Sequence, residues 1–160
     1  MGGWLRYLQT ATNKIEVDGA SAALSSTKLN ELFEKVRSEG GSASTIVAHP
    51  VQAKRFSAMN QQNNNPVVVR SDTVAGNYVR NFVSDFGDMG SIVYSYQMPK
   101  DQVALLDSSQ IRLRPMDGRA FTDAPAVVDY DGIKRTIRGE YSLEIKNVGT
   151  DHGYIKDLTV

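Results

Sequence analysis

Four runs in the middle of the chain decide the fold: Tyr78-Val-Arg-Asn-Phe-Val-Ser-Asp-Phe-Gly87, Asp88-Met-Gly-Ser-Ile-Val-Tyr-Ser-Tyr-Gln-Met-Pro99, Val103-Ala-Leu-Leu-Asp107 and Ile111-Arg-Leu-Arg114. Each is short, rich in β-branched and aromatic residues, and bounded by turn formers. In the first, Tyr78, Arg80, Phe82 and Ser84 fall on one face and Val79, Asn81, Val83 and Asp85 on the other, so a strand from Tyr78 to Phe86 is expected to be covered on both sides. Gly87 and Gly90 are expected to bracket a tight turn. Ile92, Tyr94 and Tyr96 alternate with Val93, Ser95 and Gln97, and Pro99-Lys100-Asp101 reads as a turn. Ile111 and Leu113 point one way and Arg112 and Arg114 the other, until Pro115-Met-Asp-Gly118 stops the run.

Outward from this block, Trp4, Leu5 and Leu8 share a helical face, which predicts a short helix from Gly3 to about Thr12. Asn13 to Ser26 is small and polar and reads as a loop. Leu29, Leu32, Phe33 and Val36 give the clearest helical spacing, over Lys28–Glu39. Thr27 is its expected cap, Gly40-Gly41 its stop, and Glu31–Lys35 and Glu34–Arg37 its side-chain pairs. A strand is expected at Thr45–Ala48, then a helix over Pro50–Met59 led by His49, with Val51, Phe56 and Met59 inward. Asn60-Gln-Gln-Asn-Asn-Asn65 reads as an exposed loop that continues to Gly76 around a short strand, Val67–Arg70. Near the C-terminus Tyr141, Leu143 and Ile145 alternate with Ser142, Glu144 and Lys146, and Tyr154-Ile155 with Leu158 suggests a last strand. Helices first and strands later make an α+β pattern.

The 160 residues suit one domain, or one domain and part of another, with enough apolar content to form a core unaided. The 18 basic and 18 acidic residues balance, which argues against a dedicated nucleic-acid binder. Residues 1–80 carry 9 Lys/Arg against 6 Asp/Glu, and residues 81–160 carry 9 against 12, so the halves are oppositely biased by three charges each. No cysteine is present, which excludes disulfides, thiolate metal sites and thiol catalysis. Apolar runs such as Pro66-Val-Val-Val69 are far too short for a membrane span. Met1-Gly2-Gly3 does not continue as a myristoylation signal, because Arg6 stands where Ser or Thr is needed.

The chemical motifs fail on their own terms. Asp85-Phe86-Gly87 spells the metal-binding tripeptide of protein kinases, but the glycine-rich loop and His-Arg-Asp segment are missing; a strand end and turn explain it. Asp129-Tyr-Asp-Gly132 hints at a calcium loop, yet Val127 and Arg138 occupy the end positions that need carboxylates; a hairpin turn at Asp131-Gly132 fits better. His49 and His152 lack metal-ligand spacing; His49 reads as a helix-leading residue and His152-Gly153 as a turn. Glu140, Glu144 and Lys146 look like a solvated or interfacial stripe. Tyr78, Tyr94, Tyr96 and Tyr141 are core residues or contact points. No catalytic, cofactor-binding or metal-binding set emerges, and no cofactor is expected.

Taken in order, Thr45-Ile-Val-Ala-His-Pro50, Val83-Ser-Asp-Phe-Gly87, Ile92 to Pro99, Val103–Asp107, Ile111–Pro115 and Gly139-Glu-Tyr-Ser-Leu-Glu-Ile-Lys-Asn147 resemble a tailed-bacteriophage major capsid protein of the Hong Kong ninety-seven type fold, over roughly residues 25–158. The resemblance implies a mostly antiparallel or mixed sheet with two to three helices. It implies an axial domain over 27–125, returning strands of a peripheral domain over 126–160, and a joining segment over 1–26. Such proteins carry an N-terminal arm, an extended loop and a long spine helix ahead of this region, so the chain resembles the C-terminal portion of a longer protein. The implied function is a self-assembling shell subunit that encloses DNA, located in the virion and assembled in the host bacterial cytoplasm. Its expected partners are copies of itself in pentamers and hexamers, a portal or scaffold protein, and DNA held non-specifically, with no membrane. An encapsulating nanocompartment subunit is the alternative in the same fold, and a small hydrolase or ligand-binding domain the alternative outside it. Candidate subunit-interface residues are Gln62, Asn63, Asn64 and Asn65 in the polar loop, and Arg112 and Arg114 on the strand.

Overall fold

The computed structural model describes residues 3–62, 80–125 and 135–160. Among the described residues, three helices and ten strands run in the order α1 (Trp4–Thr10), β1 (Ile15–Ala22), α2 (Ser26–Ser38), β2 (Thr45–Ala48), α3 (Ala53–Gln62), β3 (Asn81–Val83), β4 (Met89–Tyr94), β5 (Val103–Leu106), β6 (Ile111–Pro115), β7 (Thr122–Pro125), β8 (Arg135–Arg138), β9 (Tyr141–Ile145) and β10 (Gly153–Leu158). Short 3₁₀ turns lead into α3 and β6. Six strands form one mixed sheet in the order β1-β10-β5-β2-β4-β3, and β6–β9 and β7–β8 form separate antiparallel two-stranded ribbons.

The sheet has two faces and a core cluster on each. On one, Leu29, Leu32, Phe33 and Val36 of α2 and Phe56 and Met59 of α3 pack on Val17, Ile46, Ile92, Val103, Leu105 and Ile155. On the other, Leu8 of α1 and Met98 pack on Ala104, Leu106 and Tyr154, with Trp4, Leu5, Val47 and Ile111 at the margin. β5 is paired antiparallel to β10 on one side and to β2 on the other, and all four of its residues are buried.

The helical spacing expected for α2 is observed, and Lys35 Nζ lies 2.9 Å from Glu31. Two local expectations are corrected. Ser25, not Thr27, caps α2, its Oγ accepting from the Lys28 N–H. Arg37 reaches across to Asp88 at 2.6 Å instead of pairing with Glu34. The expected loop over Asn13–Ser26 contains β1, which lies parallel to β10 with Ile15 opposite Gly153 and Val17 opposite Ile155. That pairing supplies partners for a segment whose small residues look irregular in isolation. The register shifts between Asp18 and Ala22, where Ala20 and Ser21 take left-handed backbone, and pairing resumes with Ala22 opposite Leu158.

Helical inward positions after Pro50 also shift. The first turn, Pro50–Gln52, is 3₁₀, with three residues per turn, so Gln52 is buried where Val51 was expected and Val51 is exposed. Gln52 Nε2 donates to the carbonyls of Lys100 (2.7 Å) and Thr159 (3.3 Å). His49 leads this turn as expected, Nδ1 accepting from the Val51 N–H at 3.1 Å. The polar run is helical as far as Gln62; residues 63–79 and 126–134, with the expected strand Val67–Arg70 and the turn at Asp131-Gly132, lie outside the described residues.

Of the strand expected over Tyr78–Phe86, Tyr78 and Val79 lie outside the described residues, and among the described residues β3 runs from Asn81 to Val83 at the end of the sheet order. It is covered on one face, by Phe82 against Phe33 with ring centroids 6.0 Å apart, while Val83 is exposed. Ser84 to Gly87 is the turn, with Gly87 at φ +84. Gly90 is not part of it: it sits within β4, where a Cβ would come 2.7 Å from Ile46 Cδ1. Of the tyrosines, Tyr94 is half-buried edge-on to Phe56, whereas Tyr96 lies beyond β4 and is exposed.

Leu105 and Leu113 provide an internal contrast, being 1% and 63% exposed. Leu105→Ala is expected to cost about 2–5 kcal/mol and Leu113→Ala less than about 0.5 kcal/mol in denaturant titration of the isolated chain.

Candidate functional site

Beyond β5 the chain leaves the core. Asp107 caps the turn into β6, its carboxylate accepting from the Ser109 N–H at 2.9 Å. β6 then pairs with β9 in strict register: Ile111 with Ile145, Arg112 with Glu144, Leu113 with Leu143, Arg114 with Ser142 and Pro115 with Tyr141. The period-two alternation makes one face apolar and the other charged, as read from the sequence. At its root the apolar face is anchored, with Ile111 packed on the Leu8–Leu106 cluster. Further out Leu113, Met116, Phe121 and Ile137 are exposed. Phe121, at φ +49, packs against Tyr141, with centroids 5.2 Å apart.

The charged face is a cross-strand ladder. Arg114 Nε lies 2.5 Å from Glu144 Oε2, Lys146 Nζ lies 3.8 Å from Glu144 Oε1, and Arg119 pairs with Glu140. The Arg114 guanidinium holds the Glu144 carboxyl below the usual carboxylate range. These exposed pairs add little stability. A two-stranded ribbon is marginal alone in water, and exposed apolar patches of this kind mark contact surfaces. The arrangement can recognise another surface; it contains no nucleophile–base pair. Among the described residues no three His, Asp or Glu side chains gather to hold a metal ion, and no helix is long and apolar enough to cross a membrane.

Arg112 and Arg114 therefore stand together on the ribbon. Gln62 is the last residue of α3, and Asn63, Asn64 and Asn65 fall outside the described residues. The exposed apolar side chains Met116, Phe121 and Ile137 were not singled out from the sequence; their signal is an apolar residue among Gly, Asp, Thr and Arg neighbours that would otherwise keep a loop polar.

Two polar clusters fix the ribbon and the sheet. His152, expected in a turn, is fully buried. Its Nδ1 accepts from the Asp107 N–H and its Nε2–H donates to the Lys146 carbonyl, both at 3.1 Å, so one imidazole joins both roots of the ribbon. Burial lowers its pKa from 6.5, opposed by the Lys146 carbonyl and by Asp151 and Asp107. Glu16 accepts from Lys14 (2.8 Å), Lys156 (2.6 Å) and the Tyr154 hydroxyl (2.5 Å), bracing β1 against β10. These bonds lower its pKa from 4.5 to about 2.

The chain's fold is similar to that of a solved encapsulin chain. A chain of the holo-SrpI encapsulin complex from Synechococcus elongatus PCC 7942 superposes with a TM-score of 0.60 at 16% identity, covering 95% of this chain and 56% of that one. A virus-like particle from Pyrococcus furiosus matches with a TM-score of 0.46 at 13% identity, covering 95% of this chain and 60% of that one. The α+β capsid fold expected from the sequence is thus borne out. This chain spans less than two thirds of the length of either. No curated protein matches it in sequence. The SU10 major capsid protein family matches residues 1–159, and the chain belongs to that family.

Both clusters make the fold acid-sensitive. A folded-state pKa below the unfolded one stabilises above the unfolded value and is lost as pH falls. The melting temperature is expected to drop as pH falls below about 6.5, through His152, and again between about 4.5 and 2, through Glu16. Glu16→Gln should shrink the second drop and cost about 1 kcal/mol at neutral pH, since its lysine partners are largely solvated. Differential scanning calorimetry across pH reads both.

Proposed function

We propose that this chain is the axial part, with some of the peripheral part, of a structural subunit that self-assembles into a closed icosahedral shell around DNA. The observation that carries this is the β6–β9 ribbon: an ordered element that leaves Leu113 and a ladder of paired charges exposed in a chain of a major capsid protein family. The role is mechanical, not catalytic. Many modest contacts, closed by symmetry, make a stable container. Balanced charge suits dense packing of copies, which strong self-repulsion would oppose.

In this proposal residues 27–125 form the axial unit and 126–160 the strands returning to the peripheral unit, with 1–26 joining them to preceding chain. β10 hydrogen-bonds to β5, so the two units share one sheet. Arg112 and Arg114, with Gln62, Asn63, Asn64 and Asn65, are interface residues. Partners are further copies, in pentamers and hexamers, a portal or scaffold protein, and DNA held without sequence preference; assembly takes place in the host bacterial cytoplasm. Likeness to an encapsulin chain supports a second reading, a nanocompartment that encloses protein cargo.

Electron microscopy of the protein expressed alone tests the class. Uniform closed particles are expected, with nucleic acid inside for the capsid and protein cargo for the nanocompartment; a persistent monomer would contradict both. Arg112→Glu and Arg114→Glu together are expected to cut particle yield at least tenfold while leaving the circular dichroism and melting temperature unchanged.

A further inference from the structure

The chain passes between the six-stranded sheet and the β6–β9 ribbon at two points, and one ring touches both. On the way out, Asp107 follows β5, and its carboxylate caps the turn into β6 through the Ser109 N–H at 2.9 Å. On the way back, Asn147, at φ +53, closes the turn that leaves β9. Its carbonyl accepts from the Thr150 and Asp151 N–H groups, and its Nδ2 donates to the Asp151 carboxylate at 2.9 Å. His152 stands between these two roots, fully buried. Its Nδ1 accepts from the Asp107 N–H, so Nδ1 carries no proton, and the proton on Nε2 is donated to the Lys146 carbonyl. Apolar packing at the roots is light, Ile111 and Val148 lying only partly buried against the α1 cluster, whereas β10 itself buries Tyr154, Ile155 and Leu158.

We infer that His152 is an acid-released latch: protonation of Nδ1 lets the ribbon turn on its two roots while the six-stranded sheet stays folded. A proton on Nδ1 faces the Asp107 N–H across 3.1 Å, two buried donors with no acceptor between them. The charges acting on the ring are the carboxylates of Asp107, just past β5, and of Asp151 beside it in the chain. Lys146 of the β9 root meets the ring with its carbonyl, its ammonium lying 3.8 Å from Glu144, and α2 meets the adjoining Gly153 with apolar Leu32. Both carboxylates favour the imidazolium, but each is engaged, one with Ser109 and one with Asn147, so turning either to the ring undoes a bond at one root. Opening the roots exposes little apolar surface and opening β10 exposes much, so the response is local. The brace between β1 and β10 outlasts the same acid. Lys14, Lys156 and Tyr154 hold the Glu16 carboxyl down to about 2, so it stays charged while His152, its pKa lowered by burial, takes up its proton below 6.5. His49, the only other histidine, leads the turn into α3. The inference concerns a single copy and holds with or without the shell proposal; in a shell subunit it makes the direction of the ribbon, and hence its contacts, depend on pH.

Paired spin labels read the direction of the ribbon, and the chain has no cysteine of its own to compete. One pair joins ribbon to body, at Leu113→Cys and Glu34→Cys, and a control pair lies within the body, at Met89→Cys and Glu34→Cys; all three positions are exposed. By double electron–electron resonance the ribbon distance is expected to be narrowly distributed at about pH 7.5 and to spread at least about twofold, reversibly, by about pH 5, while the control distribution holds. His152→Gln keeps an acceptor and a donor side by side without a titrating proton, so its ribbon distribution is expected to be the same at both pH values. A ribbon distance unchanged at about pH 5 overturns the inference. So does a control pair that spreads along with the ribbon, which would mean global unfolding, or a His152→Gln chain that spreads as the unaltered ring does. Nitrogen-15 NMR of the His152 ring keeps the test intact if the glutamine variant fails to fold. The ring is expected to carry its proton on Nε2 alone at about pH 7.5, and its protonation to follow the same pH curve as the spreading. A ring that takes up its second proton while the ribbon distance stays narrow, or a spreading that precedes protonation, overturns the latch.

Discussion

The structure depends on β5. Val103, Ala104, Leu105 and Leu106 are hydrogen-bonded to strands on both sides and packed by side chains on both faces. Val103 and Leu105 belong to the α2–α3 cluster, while Ala104 and Leu106 belong to the α1 cluster. A strand this enclosed must be apolar throughout, because every polar side chain there would lose water without a partner. It also ties the C-terminal β10 to the N-terminal half, through pairing with β2, and thereby gives β1 a parallel neighbour to join.

From that centre the rest of the molecule divides into satisfied and unsatisfied parts. Toward α2 and α3 the sheet is sealed. Toward α1 it is sealed only as far as Val47, and beyond β5 the chain runs out into ribbons that carry apolar side chains into solvent. His152 links these parts. A buried imidazole bonded to Asp107 and Lys146 fixes where both strands of the ribbon leave the core. Rigid at the root and uncovered at the tip is what an element needs if it is to meet another surface in a defined orientation with little ordering on contact.

Elements with a strong local signal were legible. α2, β5, β6, β9 and β10 show clear spacing in the sequence, and Arg112 and Arg114 can be placed on one face by alternation alone. What escaped depends on distant partners or on small changes in winding. β1 is strand-like only because β10 lies beside it. The burial of Gln52 follows from one 3₁₀ turn, which rotates the inward face. His152 next to Gly153 looks like a turn until Asp107 and Lys146 arrive from elsewhere in the chain. The exposed face of β4 was written in its alternation, but no local feature distinguishes Val93, left bare, from Val47, which a helix margin covers. The exposed side chains of the ribbons were half legible for the same reason: the arginines announce themselves, whereas Phe121 and Ile137 are conspicuous only once burial is known.

Hydrogen–deuterium exchange, compared between the dilute chain and the assembled particle, tests most directly the claim that the ribbon is finished by a neighbour. Amides of β5 and β10 should be slow in both states. Amides of β6 and β9 should exchange quickly in the dilute chain and slow at least tenfold on assembly. Ribbon amides that exchange equally fast in the particle would contradict the account.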